Sequence, residues 1–356
     1  MKNTLTVGAA LLLTTSAAFA GGIDRSGQSI GAIFEEGRYV ELSYGYVTPS
    51  VTGTFTVPAG PAAGLAIGSG NVAPSYGIAG FAIKTDISDD VSVALIIDQP
   101  FGAAVEYAET DAGYPLAGSS AHVNSTAITA VGQYNFNENL SVHFGPRYLS
   151  ASGDYTAVAG GVPQYASEYD TGTGSGYVAG VAYEREDIAL RVALTYSSAI
   201  DMELDGSVGD LDVRMPESIN LDFQSGVAAN TLVFGSVRWV GWSDAFITDT
   251  LAGDLVTYDE DTLTYTLGVG RQFTDSLSGA ISVGYEAEQG GTASNLAPTD
   301  GNVSIGLGAT YKVGNGMELT GGVRYVMTGD ATTDIIGAEF ADNSAVAIGL
   351  KVAYTF

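Results

Sequence analysis

The sequence predicts an all-β protein, a transmembrane antiparallel β-barrel of about fourteen strands. Three features of the chain lead to this prediction. Large apolar residues alternate with small or polar ones, short turns alternate with long polar loops, and tyrosines gather near the ends of the alternating runs. The alternation begins past residue 38 and continues to residue 356, so we assign 39–356 to the barrel.

Residues 1–20 are expected to be a signal peptide. Lys2 precedes a short apolar stretch, and Ala18-Phe19-Ala20 forms an A-x-A cleavage site before Gly21. The apolar stretch is shorter than the roughly 20 residues that a membrane-spanning helix needs. The mature chain is therefore expected to begin at Gly21, outside the cytoplasm.

Composition narrows the class of protein. The chain has 48 glycines and 20 tyrosines, and 46% of its residues are hydrophobic, which is not the composition of a disordered protein. It has no cysteine, which excludes a disulfide framework and thiol chemistry. The formal net charge of -27 opposes binding to nucleic acid, because such binding depends on Lys and Arg that neutralise phosphates. We therefore expect no nucleic-acid partner.

The alternation has period two, which defines strands. Successive side chains of a strand point to opposite faces, so each run has one apolar face and one face of small or polar residues. A soluble sandwich or a secreted β-solenoid would also alternate, but the wet face of a sandwich usually carries Lys, Glu and Arg. Here Gly, Ala, Ser and Thr dominate that face, which suits a crowded lumen. The clearest runs are 40–46, 91–97, 140–144, 188–196, 303–311, 317–325 and 346–356.

The connections between runs alternate in length. Bacterial outer-membrane barrels have an even number of strands, short periplasmic turns and longer outer loops. We therefore expect a monomer in the cell outer membrane of a Gram-negative bacterium, in contact with outer-membrane lipid. The short turns are 85–90, 135–139, 184–187, 227–230, 274–276 and 313–316, and long loops rich in Gly, Ser and Asp include 57–75, 109–122 and 288–301.

The chain ends on an alternating run whose last apolar residues are Tyr354 and Phe356. In a closed barrel both edges of the terminal strand are paired, so its apolar face meets lipid. Such an ending resembles the C-terminal signal by which outer-membrane barrels are recognised for insertion. Tyr354 and Phe356 are therefore the predicted insertion signal, and the barrel-insertion machinery is a predicted partner.

Catalysis and cofactor binding have little support in the sequence. The two histidines, His122 and His143, stand near no serine pattern that predicts a nucleophile and base, so we expect no enzymatic activity. No phosphate-binding GxxxxGK[ST] loop occurs, and we expect no cofactor and no metal. Loop carboxylates at 201–212 and 259–261 have the oxygen ligands that calcium prefers, or they are simply solvated acidic loops.

Three segments carry a resemblance to a known family. The first is DDVSVALIIDQPFGAAVEY (89–107), a strand followed by a Pro-Phe-Gly kink and a tyrosine. The second is GSGYVAGVAYEREDIALRVALTYSSAI (174–200), with the form G-x-x-x-G-x-x-Y-E and then R-x-x-x-x-Y-x-S. The third is MPESINLDFQSGVAANTLVFGSVRWVGWSD (215–244), a Pro-started strand, a hairpin and a W-x-x-W-S ending. In their order and spacing these segments resemble the FadL/TodX-type outer-membrane transporters.

The resemblance implies a fourteen-stranded barrel that passively imports long-chain fatty acids or similar hydrophobic compounds. It also implies that the N-terminal segment folds into the lumen as a hatch, which here is 21–38. The segment Phe34-Glu35-Glu36-Gly37 stands where family members carry Phe-x-Asn-Pro-Ala-Gly, and the hatch is shorter than usual. A general diffusion porin and an acidic adhesin or phage-receptor barrel are the alternatives. The predicted hatch residues are Asp24, Arg25, Ser26, Phe34, Glu35 and Glu36.

A kink at Pro100 has a physical reading of its own. Proline cannot donate a ladder hydrogen bond, so it marks a bulge or a break in a central strand. Gly102, two residues later, adds flexibility. Together Gln99, Pro100, Phe101 and Gly102 are the predicted lateral opening, the release route that the family resemblance implies. An ordinary bulge is the alternative.

Substrate capture is expected to use a cation for a carboxylate and apolar loop residues. Arginine binds carboxylates bidentately, and Arg147, Arg191 and Arg324 lie on small or polar strand faces. These arginines could instead pair with lumen acids, and the loop residues could simply pack on one another. The predicted outer-loop apolar groove consists of Phe55, Leu65, Ile67, Tyr114 and Leu116.

Overall fold

Fourteen antiparallel strands close into a barrel in a computed structural model that describes residues 23–109 and 113–356. The expected signal peptide, residues 1–20, lies outside the described residues. Strands are numbered along the chain, and β5 and β6 are two pieces of one barrel strand, because both pair with β7. The predicted fold class is confirmed. The barrel strands are β1 (Tyr39–Ser50), β4 (Tyr76–Asp86), β5 (Val91–Asp98), β6 (Gly102–Glu106), β7 (Ser120–Asn135), β8 (Leu140–Ala159), β9 (Val162–Arg185), β10 (Leu190–Ser197), β13 (Ser218–Ala228), β14 (Thr231–Val240), β17 (Thr262–Gln272), β18 (Leu277–Glu286), β19 (Asp300–Gly314), β20 (Met317–Gly329) and β23 (Ser344–Thr355).

The first and last strands join to close the barrel. β1 pairs with β23 over their whole length, from Tyr39 opposite Thr355 to Ser50 opposite Ser344. β23 pairs on its other edge with β20, so the terminal strand has no free edge. All six predicted short turns connect consecutive barrel strands at one end. At the other end most connections are longer. The exception is the hairpin of β8 and β9, whose strands of 20 and 24 residues are joined by the two residues 160–161.

Burial along the strands alternates as the sequence predicts. On β1 the outward side chains of Leu42, Tyr44 and Tyr46 are exposed, whereas the inward Tyr39 and Val47 are buried. Exposed apolar side chains in this pattern continue around the barrel and form a belt. A soluble sandwich would cover that face with a second layer, so the belt is the surface that meets lipid. Within the described ranges, no helix has the length and apolar character required to cross a bilayer.

Two small sheets stand above the end with the longer connections. One has the strand order β11-β12-β15-β16, and the other has the order β21-β22-β2-β3. Their strands come from the long loops, so these loops are ordered by pairing with one another. The strands are β2 (Thr52–Thr56), β3 (Ala66–Asn71), β11 (Ile200–Leu204), β12 (Leu211–Met215), β15 (Phe246–Asp249), β16 (Gly253–Thr257), β21 (Ala331–Thr332) and β22 (Glu339–Phe340).

Three short 3-10 helices complete the described elements, at Gly31–Phe34, Glu186–Ile188 and Trp242–Asp244. The first belongs to the N-terminal segment, residues 23–38, and packs against β4, β5 and β7. Its Ala32 and Ile33 are buried in a cluster with Ala82, Ala94 and other inward residues of the barrel wall. The N-terminal segment therefore lies inside the barrel.

Candidate functional site

The wall of the barrel is interrupted at the third strand. β4 pairs with β5 only from Asp86 to Phe81, and the last pair is Phe81 with Ile97. Above the interruption β6 pairs with β7 alone. Residues 76–80 of β4 therefore have no ladder partner on this side among the described strands. The break contains Gln99, Pro100 and Phe101, where Pro100 lacks the N–H that a ladder requires.

The N-terminal segment occupies the edge that β4 leaves open. The N–H of Gly102 donates to the carbonyl of Ile23 at 2.8 Å, and the N–H of Arg25 donates to the carbonyl of Pro100 at 2.7 Å. Asp24 and Phe101 face each other there as an antiparallel bridge. The N-terminal segment thus acts as a short substitute strand at the break. Across the gap, the backbone N–H of Ala79 donates to Gln99 Oε1 at 2.8 Å.

Arg25 fills the space between the two sides of the gap. Its guanidinium carbon lies 4.2 Å from the centroid of the Tyr76 ring, a cation–π contact, and the residue is 5% exposed. A Cβ at Gly102 would stand 2.5 Å from the guanidinium carbon, so only glycine leaves room for this arrangement. The backbone of Gly102 is not in the left-handed region, and the close approach of Arg25 is a reason for glycine here beside the expected flexibility.

Polar contacts hold the rest of the N-terminal segment to the wall. Asp24 accepts from Arg238 Nε at 2.6 Å, and Ser26 donates to Asp98 at 2.5 Å. Ser218 donates to the side chain of Gln28 at 2.8 Å. The Asp24–Arg238 pair is buried, and in such a pair the loss of one partner leaves an uncompensated charge.

Phe34 anchors the other end of the N-terminal segment. Its ring packs edge-on against His143 with the centroids 5.7 Å apart, and Arg191 lies 4.9 Å from its centroid. Of the remaining predicted hatch residues, Glu35 is half-buried and Glu36 is exposed. The segment is therefore fastened at both ends, at the break by Asp24 to Ser26 and near the turn end by Phe34.

The three arginines proposed for a carboxylate do not come together. Arg147 donates to the hydroxyls of Thr129 (2.8 Å) and Ser197 (3.2 Å), whereas the sequence suggested lumen acids as its alternative partners. Arg191 lies against Phe34 and is 3.9 Å from Glu184. Arg324 is buried beside a cavity of about 140 Å³ that is also lined by Asp98, Lys351 and serines of the N-terminal segment.

An apolar pocket of about 40 Å³ lies under the β11-β12-β15-β16 sheet, where that sheet covers the outer ends of β7, β8 and β9. Most of its lining residues also belong to a large apolar cluster inside the outer half of the barrel. The pocket lining includes Ala151, Tyr169, Leu204, Leu211, Val213, Met215, Ile247, Leu255 and Val256.

The same apolar cluster reaches the break in the wall. Ile23 and Phe101 are members of it, and Phe101 packs edge-on against Trp242 with the ring centroids 6.4 Å apart. Trp242 in turn packs on Tyr258 at 4.8 Å. A continuous body of apolar side chains therefore runs from the outer pocket to the kink. We call this body, together with the pocket, the apolar path.

The predicted outer-loop groove is arranged differently. Phe55, Ile67, Tyr114 and Leu116 pack with one another and with Phe340 in a separate cluster, while Leu65 is largely exposed. We did not predict Trp242 or the β11–β12 hairpin as part of a site. The alternation of Ile200, Met202 and Leu204 with polar residues, repeated at 211–215, is the sequence signal that could have identified that hairpin.

Asp249 fixes the sheet over the pocket to the barrel. It accepts hydrogen bonds from Tyr169 (2.6 Å) and Tyr165 (2.7 Å) on β9, and from the backbone N–H groups of Leu251 and Ala252. Burial alone would raise the pKa of the Asp249 carboxyl, but these hydrogen bonds outweigh burial and lower the pKa below its usual value. The carboxylate form is thus the one that anchors the sheet.

His122 links three strands just above the lipid-facing belt. The outward residues of β7 and β8 change there from apolar Ile128 and Tyr148 to polar residues. His122 Nδ1 lies 2.9 Å from Asp154 Oδ2 on β8, and its Nε2 lies 3.0 Å from Glu106 Oε1 on β6. Burial alone would lower the pKa of His122, but the two carboxylate partners outweigh it and raise the pKa.

Metal-ligating groups are sparse in the part of the chain that the structure describes. Within it, no three His, Asp or Glu side chains are arranged to hold a metal ion. Two of the loop acids considered for calcium have protein partners. Asp201 pairs with Arg214 at 2.7 Å, and Asp261 accepts from the hydroxyl of Ser243 at 2.6 Å.

Comparison with known proteins finds one family and many similar structures. Residues 30–356 match the family described as outer membrane protein transport protein (OMPP1/FadL/TodX). A FadL homologue from Pseudomonas aeruginosa is similar with a TM-score of 0.73 and 15% identity, over 100% of this chain and 98% of that chain. The P. putida toluene transporter TodX has a TM-score of 0.66 and 12% identity, over 96% and 94%. The Ralstonia pickettii toluene transporter TbuX has a TM-score of 0.65 and 13% identity, over 97% and 98%. No curated protein sequence matches the chain.

Proposed function

Because the chain belongs to the OMPP1/FadL/TodX family of outer-membrane transport proteins, we propose that it passively imports long-chain fatty acids or similar hydrophobic compounds. The family consists of β-barrels in the outer membrane of Gram-negative bacteria, and it transports hydrophobic compounds. In our proposal the substrate binds in the outer pocket, follows the apolar path and leaves sideways into the bilayer at the third strand. Two similar structures are toluene transporters, so aromatic hydrocarbons are a second substrate class to test.

The observation that carries the proposal is the continuity of the apolar path. The path begins at a pocket open to the loop side and ends at Phe101, where the ladder between β4 and the third strand is missing. A porin would need an open polar lumen instead. Here the N-terminal segment and the apolar cluster fill the lumen, which supports transport of apolar solutes over general diffusion.

Lateral release needs no energy source. Each buried CH₂ group favours an apolar environment over water by about 0.8 kcal/mol. A chain of sixteen or more carbons therefore has a large preference for the bilayer, and the apolar path keeps it out of water on the way. The remaining barrier is local, because residues 23–25 occupy the open edge at the break.

Displacement of the N-terminal segment is the second part of the proposal. At the break it is attached by two backbone hydrogen bonds, the Asp24–Arg238 pair and the Ser26–Asp98 hydrogen bond. A substrate that enters between Ile23 and Phe101 would replace the apolar contact between them with its own apolar contacts. It would detach only residues 23–25 from the open edge at the break. We propose that movement of residues 23–26 suffices for release, while Phe34 stays in place.

Uptake measurements test the proposal directly. Cells that lack this gene are compared with complemented cells for uptake of labelled oleate and labelled toluene. Complementation is expected to raise uptake of at least one of them, and unchanged uptake of both would count against the proposed function. In planar bilayers the purified protein is expected to show little steady conductance, whereas large open channels would favour a porin.

A further inference from the structure

The charged residues along the apolar path are unevenly distributed. Its outer pocket is lined by apolar residues together with His122 and Asp154, and these two contact each other. No Lys or Arg is among the residues that line this pocket. A fatty acid that enters with its chain in the pocket therefore meets no Lys or Arg there, and both nitrogens of His122 already face the carboxylates of Asp154 and Glu106.

A cation lies at the other end of the path. Arg25 is two residues after Ile23, and its backbone N–H donates to the carbonyl of Pro100 in the break. Only 5% of the residue is exposed, and its Nε has no hydrogen-bond acceptor among the described residues. Among the described residues, its guanidinium contacts the face of the Tyr76 ring. This is a buried guanidinium with donor capacity left over.

The neighbouring arginines differ from Arg25 in this respect. Arg147 donates from Nε to Thr129 and from Nη1 to Ser197. Arg238 donates from Nε to Asp24 and from Nη1 to Asn220 at 2.6 Å. Both guanidiniums therefore have their Nε donors satisfied by the protein, and a substrate carboxylate would have to displace those partners first.

The guanidinium of Arg25 interacts more strongly with a carboxylate than with the Tyr76 ring. A cation–π contact contributes about 0.5–2 kcal/mol, with the larger value for a desolvated pair. Charge-assisted hydrogen bonds from arginine to a carboxylate are shorter, often bidentate and roughly twice as strong as neutral ones. A carboxylate that arrives along the path can therefore replace Tyr76 as the partner of Arg25.

We propose that Arg25 recognises the carboxylate headgroup of an amphiphilic substrate and that this recognition opens the wall. The inference rests on the proposed function and names the residue that distinguishes an acid from a neutral hydrocarbon. Arg25 leaves Tyr76 for the headgroup and thereby removes the contact that spans the gap between β4 and β6. Residues 23–25, which carry the guanidinium, then move with the headgroup away from the edge at Gly102.

Paired ligands test this inference on the full-length protein in detergent. Binding of oleate and of oleyl alcohol, which share a chain and differ in charge, is measured for wild type, Arg25→Gln, Arg25→Lys and the control Arg271→Gln. Arg271 is exposed near a short turn, and it lies at the opposite end of β17 from Thr262, which pairs with Val240 of the path. Wild type is expected to bind oleate more tightly than the alcohol. Arg25→Gln should weaken oleate binding about tenfold and change alcohol binding by less than about twofold, with Arg25→Lys in between.

The other outcomes overturn the inference in distinguishable ways. If Arg25→Gln loses affinity for oleate and for oleyl alcohol equally, Arg25 only supports the structure of the binding path. Native heat-modifiable migration on a gel shows that the variant is still a folded barrel. No change in oleate binding would place the headgroup elsewhere. If wild type binds neither ligand and complements uptake of neither oleate nor toluene, the proposed function fails and the inference fails with it. If Arg25→Gln does not fold, Tyr76→Leu supplies the second test, since it leaves the guanidinium and should retain the preference for oleate over the alcohol.

Discussion

Arg238 donates from Nε to Asp24 Oδ2 at 2.6 Å, although the two residues are 214 positions apart in the chain. This pair joins the N-terminal segment to β14, on the side of the lumen reached by the apolar path. Only 9% of each side chain is exposed, so neither charge has access to bulk water. The pair attaches the segment near the break in the wall, and loss of either partner would leave a buried charge uncompensated.

Breaking that pair is expected to release the front of the segment. Asp24→Ala leaves the Arg238 charge buried without a carboxylate, a change that typically costs about 3–5 kcal/mol. We expect higher single-channel conductance in planar bilayers and faster proteolysis within residues 23–30. Asp187→Ala is the control, because its pair with Arg185 is exposed at a short turn. If Asp24→Ala has the same conductance as that control, the pair does not hold the segment in place.

A disulfide across the gap is expected to block lateral release. Ala79 and Gln99 continue the register of Phe81 with Ile97, and they already share a hydrogen bond. The chain has no other cysteine, so Ala79→Cys with Gln99→Cys forms the bridge without competition. Uptake of the hydrophobic substrate should fall when the bridge is oxidised and recover after reduction. The matched control is a bridge between Val323 and Ile348, which face each other in the intact wall. Equal uptake by the two oxidised variants would refute release at the third strand.

The outer pocket is expected to be the first binding site. Leu255→Asp places a carboxylate at a partly exposed position of the pocket lining, where the barrel can still fold. A charge in an apolar site disfavours an apolar ligand, and we expect affinity for oleyl alcohol to fall about tenfold or more. Leu65→Asp is the control, since Leu65 belongs to the predicted loop groove but is exposed and outside the pocket. If Leu65→Asp loses more affinity for oleyl alcohol than Leu255→Asp does, the first binding site is the predicted loop groove and not the outer pocket.

Stability of the outer ends of β6, β7 and β8 is expected to fall as pH rises. His122 has a raised pKa in the folded protein, and its value in an unfolded chain is about 6.5. A raised pKa means that protonation favours the folded form. The contribution of protonated His122 to folding stability is therefore complete below about pH 6.5 and is lost as pH rises through the pKa of the folded state. Amide exchange at 120–124 and 152–156 should be slower at pH 5.5 than at pH 8.5, after correction for intrinsic exchange. His122→Gln should remove that difference, and a difference that persists in this variant has another source.

Strand positions could be predicted from the sequence because they depend on local alternation. Leu42, Tyr44 and Tyr46 are apolar because they face lipid, and that requirement acts on each residue separately. Pro100 likewise marks the broken strand through its own missing N–H. The turns follow for the same reason, since each is bounded by the ends of two recognisable runs.

The partners inside the barrel could not be predicted in this way. The sequence pattern favoured Arg147 over Arg25 as a carboxylate ligand, and only the fold shows that Arg147 has Thr129 and Ser197 as partners. The loop residues posed the same problem. Phe55 and Met215 are both apolar loop residues, but pairing between distant loops puts Phe55 in a packed cluster and Met215 at a pocket.

The seam between β1 and β23 sets the order in which the protein is assembled. The backbone N–H of Phe356 donates to the carbonyl of Arg38 at 2.9 Å, so the final residue is bonded to the point where the N-terminal segment becomes wall. The seam cannot form until β23 has been synthesised. When this seam forms, the barrel therefore closes around any part of the N-terminal segment that already lies against the wall.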